Sequence, residues 1–428
     1  MENLAVVIFR NNLRLEDNYS LYNACKNHDY VLGLYDLELL DGNIYDFKKC
    51  DVYREKFIKE SLLNLKDNLS KYEINLSIVN DIEKSLEKLA SSYNIEIYFD
   101  QEVGTEEFEF ENKFKKYKHK SYFSQTLIEP FYFDYKKSFT GFRKKAEKQD
   151  INELLPQIQK KKSVYFESMD IKVPKVDTPN KHSITYKGGE DEALKQLKNY
   201  LPKIHEYKST RNEMSGFENS TKFSPYLAIG CISPRKLYWE IKKEEERTYE
   251  SDSSYWIYFE LLWRDFFYLV LKESKNKLFL KYGLKGEKFN FRKDKTLLKD
   301  FFSANTGVAL IDASINELKT TGWLSNRNRQ IVASYYVKNL GLDWRIGAAF
   351  FESLLVDYNP ASNYGNWAYQ SHVGNDKTYR IFDVQRQSDM YNGKDYIEKW
   401  LPKNAKHKNV NYRKMANEVK KEVFFEMD

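Results

Sequence analysis

Leu4-Ala5-Val6-Val7-Ile8-Phe9, stopped by Arg10, is the stretch on which the reading of the N-terminal half turns. Its apolar residues do not alternate with polar ones, so an extended strand here is covered on both faces, as in a parallel sheet. The run is too short for a signal-peptide core and has no basic lead-in. Similar runs follow at residues 30–37, 74–79 and 95–99, and residues 51–72 and 81–93 between them carry apolar side chains at helical spacing. Such units build a doubly wound parallel sheet, whose ligands sit at the carboxyl ends of the strands. Neither a GxGxxG fingerprint nor a P-loop occurs, so the standard nucleotide sites are not expected.

Working outward, 428 residues are too many for one ordinary core, and two domains are expected. Residues 131–185 lose the pattern and turn rich in Lys, Gln and Pro; they read as a long connection draped over the surface. After Tyr186-Lys187-Gly188-Gly189-Glu190 the strand signals vanish. Helices are predicted over 191–200, 225–228, 234–243, 255–272, 309–320, 330–339 and 344–355. The expected fold is therefore α/β plus all-α. It comprises a doubly wound sheet domain over 1–130, the connection 131–185, an all-helical domain over 186–403, and a Lys-rich tail over 404–428 read as a helix or frayed end.

The 69 basic and 63 acidic side chains leave a net charge of +6, which permits a polyanionic partner without requiring one. Cys25, Cys50 and Cys231 are too few and too scattered for a disulfide framework or a zinc site, and the six histidines form no ligand spacing. No metal is expected, and a reducing cytoplasm suits the cysteine usage. No stretch approaches a membrane span. A monomer is the default expectation.

Four stretches of the helical half bear residues suited to chemistry. In Ser220-Thr221-Lys222-Phe223-Ser224-Pro225, Ser224 reads as an N-cap and Pro225 as the first helical residue, with hydroxyls and a lysine ready for a phosphate. Alone, such a start is more often only a capped helix. Glu260, Trp263 and Arg264 share one helix face, where an indole between an acceptor and a guanidinium can stack a base and bond its edge. On this stretch alone, a half-buried Trp with an i, i+4 ion pair on its rim reads slightly better. Trp323-Leu324-Ser325-Asn326-Arg327-Asn328-Arg329 resembles a polar pocket wall or phosphate clamp. Asp357-Tyr358-Asn359-Pro360-Ala361-Ser362-Asn363-Tyr364-Gly365-Asn366-Trp367-Ala368-Tyr369 reads as a polar-aromatic loop after an apolar helix. Trp344 and Trp367 can be redox-active, although a single Trp is far more often core.

Taken in order, these stretches resemble the photolyase/cryptochrome family, most closely its DASH cryptochrome branch. The resemblance runs from residue 1 to about Pro402. It opens at Phe9-Arg10-Asn11-Asn12-Leu13-Arg14-Leu15-Glu16-Asp17-Asn18 and continues through Thr210-Arg211-Asn212 and Gly230-Cys231-Ile232-Ser233-Pro234-Arg235 to the motifs above. It implies an α/β antenna domain and a helical domain holding FAD. Tyr207, Ser220, Thr221, Phe223, Ser224, Trp256, Arg329, Asp357, Asn359 and Asn363 are implied to contact FAD. Arg329 and Asp357 match an ion pair beside the flavin ring, and Asn363 the residue facing its N5. Glu102 matches a carboxylate that holds a 5,10-methenyltetrahydrofolate antenna.

The implied activity is blue-light-driven repair of cyclobutane pyrimidine dimers by electron transfer from reduced FAD. Glu260, Trp263, Arg264, Asn326, Arg327, Gln330 and Tyr369 are implied to meet DNA: Glu260 and Asn326 at the base, Trp263 and Tyr369 as walls, Arg264 at a phosphate. Most classical dimer photolyases have Met and Trp where this chain has Gln330 and Tyr369, and the DASH branch resembles this chain at both positions. Polar walls weaken the gain from flipping a base, which fits a preference for single-stranded DNA, where flipping costs less. The (6-4) photolyases carry histidines at the positions of Asn326 and Gln330, so (6-4) repair is not expected. Trp367 and Trp344 match the inner and middle members of an electron relay, but the outer position holds Phe291. The relay is then expected to stop at Trp344 or to exit through another residue, for which Tyr335 and Tyr336 are the candidates. Asn359 replaces an acidic family residue. The competing reading is a blue-light photoreceptor with little or no repair activity.

Overall fold

A computed structural model describes residues 1–176, 186–215, 219–402, 405 and 410–424. The end of the expected connection, 177–185, and parts of the expected tail, 404, 406–409 and 425–428, lie outside the described residues.

The N-terminal half is built on β1 (Asn3–Ile8), β2 (Tyr30–Asp36), β3 (Asn43–Ile44), β4 (Phe47–Lys48), β5 (Asn75–Val79), β6 (Asn94–Asp100) and β7 (His119–Tyr122). Five of these strands form one parallel sheet in the order β5-β2-β1-β6-β7; β3 and β4 pair separately as a small hairpin. The doubly wound sheet expected from the apolar runs is present. Alternate residues of β1 feed two cores. Ala5 and Val7 face α1 (Tyr19–Asn27) and α2 (Val52–Ser70), while Leu4, Val6 and Ile8 face α3 (Ile82–Ser92) and Phe110 of α4 (Thr105–Asn112). The short edge strand β7 was not expected, because His119-Lys120-Ser121-Tyr122 has no apolar run. The winding reverses between β1 and β6, so the carboxyl ends of these strands, with Arg10 and Glu102, mark the switch point.

Residues 131–176 do more than drape. They include α5 (Phe139–Ala146), whose Phe139, Phe142 and Ala146 enter the core of the helical half, joined by Phe133. The i, i+3 phenylalanines were the signal, masked by the surrounding lysines. Farther on, Val31 donates to the Lys162 carbonyl (2.9 Å), and Val164 and Phe166 are buried against the sheet.

The helical half comprises α6 (Glu190–Tyr200), α7 (Tyr207–Thr210), α8 (Ser224–Ala228), α9 (Pro234–Arg247), α10 (Asp252–Ser274), α11 (Lys295–Phe302), α12 (Ala309–Thr321), α13 (Asn326–Ser334), α14 (Trp344–Leu354), α15 (Pro360–Gln370), α16 (Val384–Met390), α17 (Gly393–Trp400) and α18 (Tyr412–Val419). Three local readings are corrected. Ser224 is the first residue of α8 and not its N-cap; Phe223 precedes it without a side-chain cap, after Lys222 at φ 56°. Helix α13 begins at Asn326, capped by Ser325, and widens into a π turn over Tyr335–Asn339. The stretch after Asp357 is helix α15 and not a loop, because Asn359 caps it from Ser362 N and Pro360 opens it.

The opening motif is a staple between the halves. Arg14 donates to the Gly230 carbonyl (3.0 Å), Asp17 pairs with Arg235 (2.9 Å), and the Leu15 and Glu16 amides donate to Glu190 (2.8 and 2.9 Å). Gly230 sits at φ 70°, and a Cβ there would lie 2.0 Å from the Asn11 carbonyl oxygen, so glycine is required. Among the described residues no helix is long and apolar enough to cross a membrane.

Candidate functional site

Helix α10 supplies one wall of a cavity of about 1060 Å³. A capping box between Ser251 and Ser254 starts the helix, and Ile257, Glu260, Leu261 and Arg264 then recur at i, i+3, i+4 and i+7 along the cavity. Helices α13 and α15 and the turn before α8 supply further walls. Of the residues expected to act, Tyr207, Ser220, Thr221, Phe223, Ser224, Glu260, Trp263, Arg264, Asn326, Arg327, Arg329, Gln330, Asp357, Asn359 and Tyr369 all line it. Residues that lie far apart in sequence are thus brought to one surface.

Glu260 forms an ion pair with Arg211, whose guanidinium lies over the Trp256 ring (4.3 Å). Burial raises the Glu260 carboxyl and Arg211 opposes the shift. Trp263 stacks on Phe139 (3.9 Å between centroids, 10° between planes) and meets Tyr369 edge-on at 6.0 Å. Arg327, in the first turn of α13, donates to Asn212 (2.8 Å) and lies over Tyr391 (4.8 Å), while its buried Nε has no partner among the described residues. Arg329 pairs with Asp357 (2.8 Å) and donates to the Leu324 carbonyl (2.8 Å). Lys222 donates to Ser220 Oγ (2.8 Å) above the Trp323 ring (4.1 Å); burial brings its ammonium down to about 7.

Several expectations change. Arg264 is engaged by the carbonyls of Leu227 (3.3 Å) and Gln125 and lies over Tyr268, so it braces the two halves where a phosphate contact was expected. Trp256 packs on Phe259 (4.5 Å) outside the cavity wall, and Ile257, one position on, faces inward. Asn363 also lies off the wall, with Nδ2 on the Ala348 carbonyl (2.9 Å), between the wall residues Ser362 and Asn366. Asn359 caps α15 and donates to the Tyr268 hydroxyl (2.5 Å), which uses both ends of its amide. Trp344 and Trp367 lie buried behind the wall. Glu102 sits at the sheet switch point, 3% exposed, with Gln125 Nε2 at 3.4 Å; burial pushes its carboxyl up to about 8.

Sequence reading assigned no role to Lys338, Arg380, Arg386 and Arg413, which also line the cavity. Each stands in an unremarkable stretch, and only chain folding collects them. Nine basic and five acidic side chains face the cavity, which favours an anionic occupant. The orphaned Arg327 Nε and Asp357 Oδ1, with the hydroxyls of residues 220–224, fit a ligand carrying phosphates and a polar ring system. These residues fit FAD. Among the described residues no cluster of His, Cys, Asp and Glu has the form of a metal site.

Comparison with known proteins finds an FAD-binding domain over this part of the chain. Residues 256–425 match the FAD binding domain of DNA photolyase, and residues 5–160 match the DNA photolyase family. The chain is 36% identical over 426 residues to the cryptochrome DASH of Synechocystis sp., covering 93% of this chain and 87% of that one. It is likewise 36% identical over 430 residues to the cryptochrome DASH of Danio rerio, with 93% and 82% covered. A crystal structure of a Synechocystis sp. PCC6803 cryptochrome superposes with a TM-score of 0.92 at 32% identity, over 99% of both chains. An archaeal photolyase from Sulfolobus tokodaii, solved with two FAD molecules, gives 0.82 at 25%, over 98% of this chain and 99% of that one. With its parallel-sheet domain, its FAD-binding helical domain and these relatives, the chain belongs to the photolyase/cryptochrome family, in the DASH cryptochrome branch.

Proposed function

We propose that the protein is a blue-light-driven, FAD-dependent photolyase that splits cyclobutane pyrimidine dimers, preferentially in single-stranded DNA. The observation that carries this reading is one cavity with two kinds of wall. Ser220, Thr221, Ser224, Lys222 and the Arg329–Asp357 pair suit a dinucleotide cofactor. Trp263, Tyr369, Glu260 and Gln330 suit an unstacked pyrimidine pair beside it.

Bound FAD, when reduced, supplies a photoexcitable one-electron donor. The chain's own work is holding and positioning. The Trp263 and Tyr369 rings present an apolar corner to the dimer, and the Glu260 carboxylate, oriented by Arg211, accepts from a pyrimidine N–H. Asn326 and Arg327, at the N-terminus of α13, meet base edge and phosphate. Gln330 and Tyr369 make the wall more polar, which favours a substrate already unstacked. The proposal extends to a methenyltetrahydrofolate antenna held near Glu102, and to a cytoplasmic monomer.

Repair of a thymine-dimer oligonucleotide by dithionite-reduced protein tests this reading, with single-stranded and duplex substrates under blue light and in darkness. Light-dependent repair mainly of the single strand supports it. No repair of either, with FAD bound, favours the photoreceptor reading, to which the engagement of Glu260 by Arg211 lends some weight. Acid extraction of the purified chromophores tests the antenna.

A further inference from the structure

The expected electron exits do not have the chemistry of an exit. Tyr336 lies 5.6 Å from Trp367 between ring centroids, but it is fully buried, and among the described residues its hydroxyl has no hydrogen-bond partner. Tyr335 is also buried, and its hydroxyl meets Thr306, another hydroxyl. A phenol gives up an electron readily only when its proton leaves as well, because the oxidised phenol is a far stronger acid than the phenol. In a core of low dielectric an uncompensated new charge is costly. A buried tyrosine without a base is therefore a poor donor. Phe291 is no alternative: it is 4% exposed beneath Phe424, with ring centroids 6.0 Å apart.

Tyr364 meets the requirement. On α15 it stands one turn before Trp367, and on α14 Trp344 stands one turn before Gly347. A Cβ at Gly347 would lie 2.5 Å from Trp367, so that indole rides directly on the α14 backbone. The Tyr364 ring is 6.2 Å from that of Trp344, tilted by 76°. Its hydroxyl donates to Glu352 Oε2 (2.8 Å), and Glu352 is 2% exposed. Of these tyrosines, Tyr364 is the one whose hydroxyl donates to a carboxylate.

We propose that Tyr364 is a redox-active residue that returns an electron to oxidised Trp344 while its phenolic proton passes to the Glu352 carboxylate. The inference rests on the reading that FAD occupies the cavity and that Trp367 and Trp344 relay electrons to it. The primary oxidant is a photoexcited oxidised flavin, which takes one electron by way of Trp367 and leaves Trp344 as a radical cation. Tyr364 then loses one electron to Trp344, and its O–H bond breaks as a new O–H bond forms at Glu352 Oε2. The products are neutral Trp344, a neutral Tyr364 radical and a neutral Glu352 acid, so the step removes a positive and a negative charge from the core. Arg54, Tyr358 and Glu106 also act on the Glu352 carboxyl. Burial, the largest influence, strengthens its hold on a proton, and Arg54 opposes that.

Electron paramagnetic resonance of the illuminated, oxidised holoprotein, with and without ring-deuterated tyrosine, reads the radical directly. A tyrosyl signal is expected in the parent and in Tyr336→Phe, and is lost in Tyr364→Phe. Glu352→Gln retains a polar partner without a strong base, and radical formation slows about a hundredfold. A tyrosyl signal that survives Tyr364→Phe, or accumulation of only a tryptophan radical in the parent, overturns the assignment. Trp367→Phe separates the two levels. If it removes all radicals while Tyr364→Phe changes nothing, only the Tyr364 assignment fails; if it changes nothing, the relay reading fails and the proposal with it.

Discussion

Replacing Glu102 by Gln isolates the effect of burying one carboxyl at the sheet switch point. Glu102 is 3% exposed, and burial pushes its carboxyl from 4.5 to about 8; Arg10 opposes the shift, while Glu107 and Glu111 add to it. The unfolded chain releases this proton near pH 4.5, whereas the folded protein keeps it to about pH 8. Between these limits the native state binds more protons than the unfolded state, so stability is lost as the pH rises and levels off above about 8. Each unit of difference is about 1.4 kcal/mol, which places the loss from this one group at ~3 kcal/mol by about pH 7. Gln is nearly isosteric with the protonated acid, keeps an oxygen for Gln125 and never ionises. The stability gap between Glu102→Gln and the parent should therefore widen by about 1.4 kcal/mol per pH unit up to about pH 8. Urea unfolding of both proteins at about pH 6, 7 and 8 measures it. Parallel pH dependences would show that Glu102 is ionised in the folded protein and refute the reasoning.

Trp263→Ala should weaken binding of a dimer-containing strand by about 1–3 kcal/mol, the worth of one stacking platform, with FAD absorbance unchanged. Equal affinity would remove Trp263 from the substrate wall. Arg327→Ala should lower the slope of log affinity against log salt by about 0.7 on single-stranded DNA. Arg264→Ala should leave that slope alone yet destabilise the protein by about 1–3 kcal/mol, because carbonyls of both halves lose a charged donor; a changed slope would restore the phosphate role. Phe291→Trp should speed photoreduction of oxidised FAD in transient absorption, while overpacking against Phe424 lowers stability by about 1–3 kcal/mol in thermal melts. No acceleration means that electrons already enter by a faster route, such as Tyr364.

Much of the fold was legible because burial on two faces leaves a plain mark. Four apolar runs became β1, β2, β5 and β6, and the segments between became α2 and α3. What escaped was local or polar. Strand β7 takes part through its backbone, which any residue supplies. Helix α5 showed two phenylalanines among lysines, and the Asn359-Pro360 start of α15 read equally well as a turn. For the site, most of the expected residues do reach one cavity. The misplacements follow from the steepness of a helix: Trp256 and Ile257 differ by one residue and about 100° of rotation, enough to exchange inside for outside.

Residue type and order by themselves determined that a doubly wound sheet precedes an all-helical half, which helices carry the site, and the family to which the chain belongs. Those properties depend on patterns within short windows and on motifs read one after another. Only the tertiary structure decided which partner each polar group finds. It engaged Arg264 with carbonyls, Glu260 with Arg211 and Tyr364 with Glu352, and among the described residues it left the Tyr336 hydroxyl without a hydrogen-bond partner. A guanidinium or a phenol has the same formula in every setting, and its chemistry follows from the acceptor within about 3 Å, which comes from elsewhere in the chain.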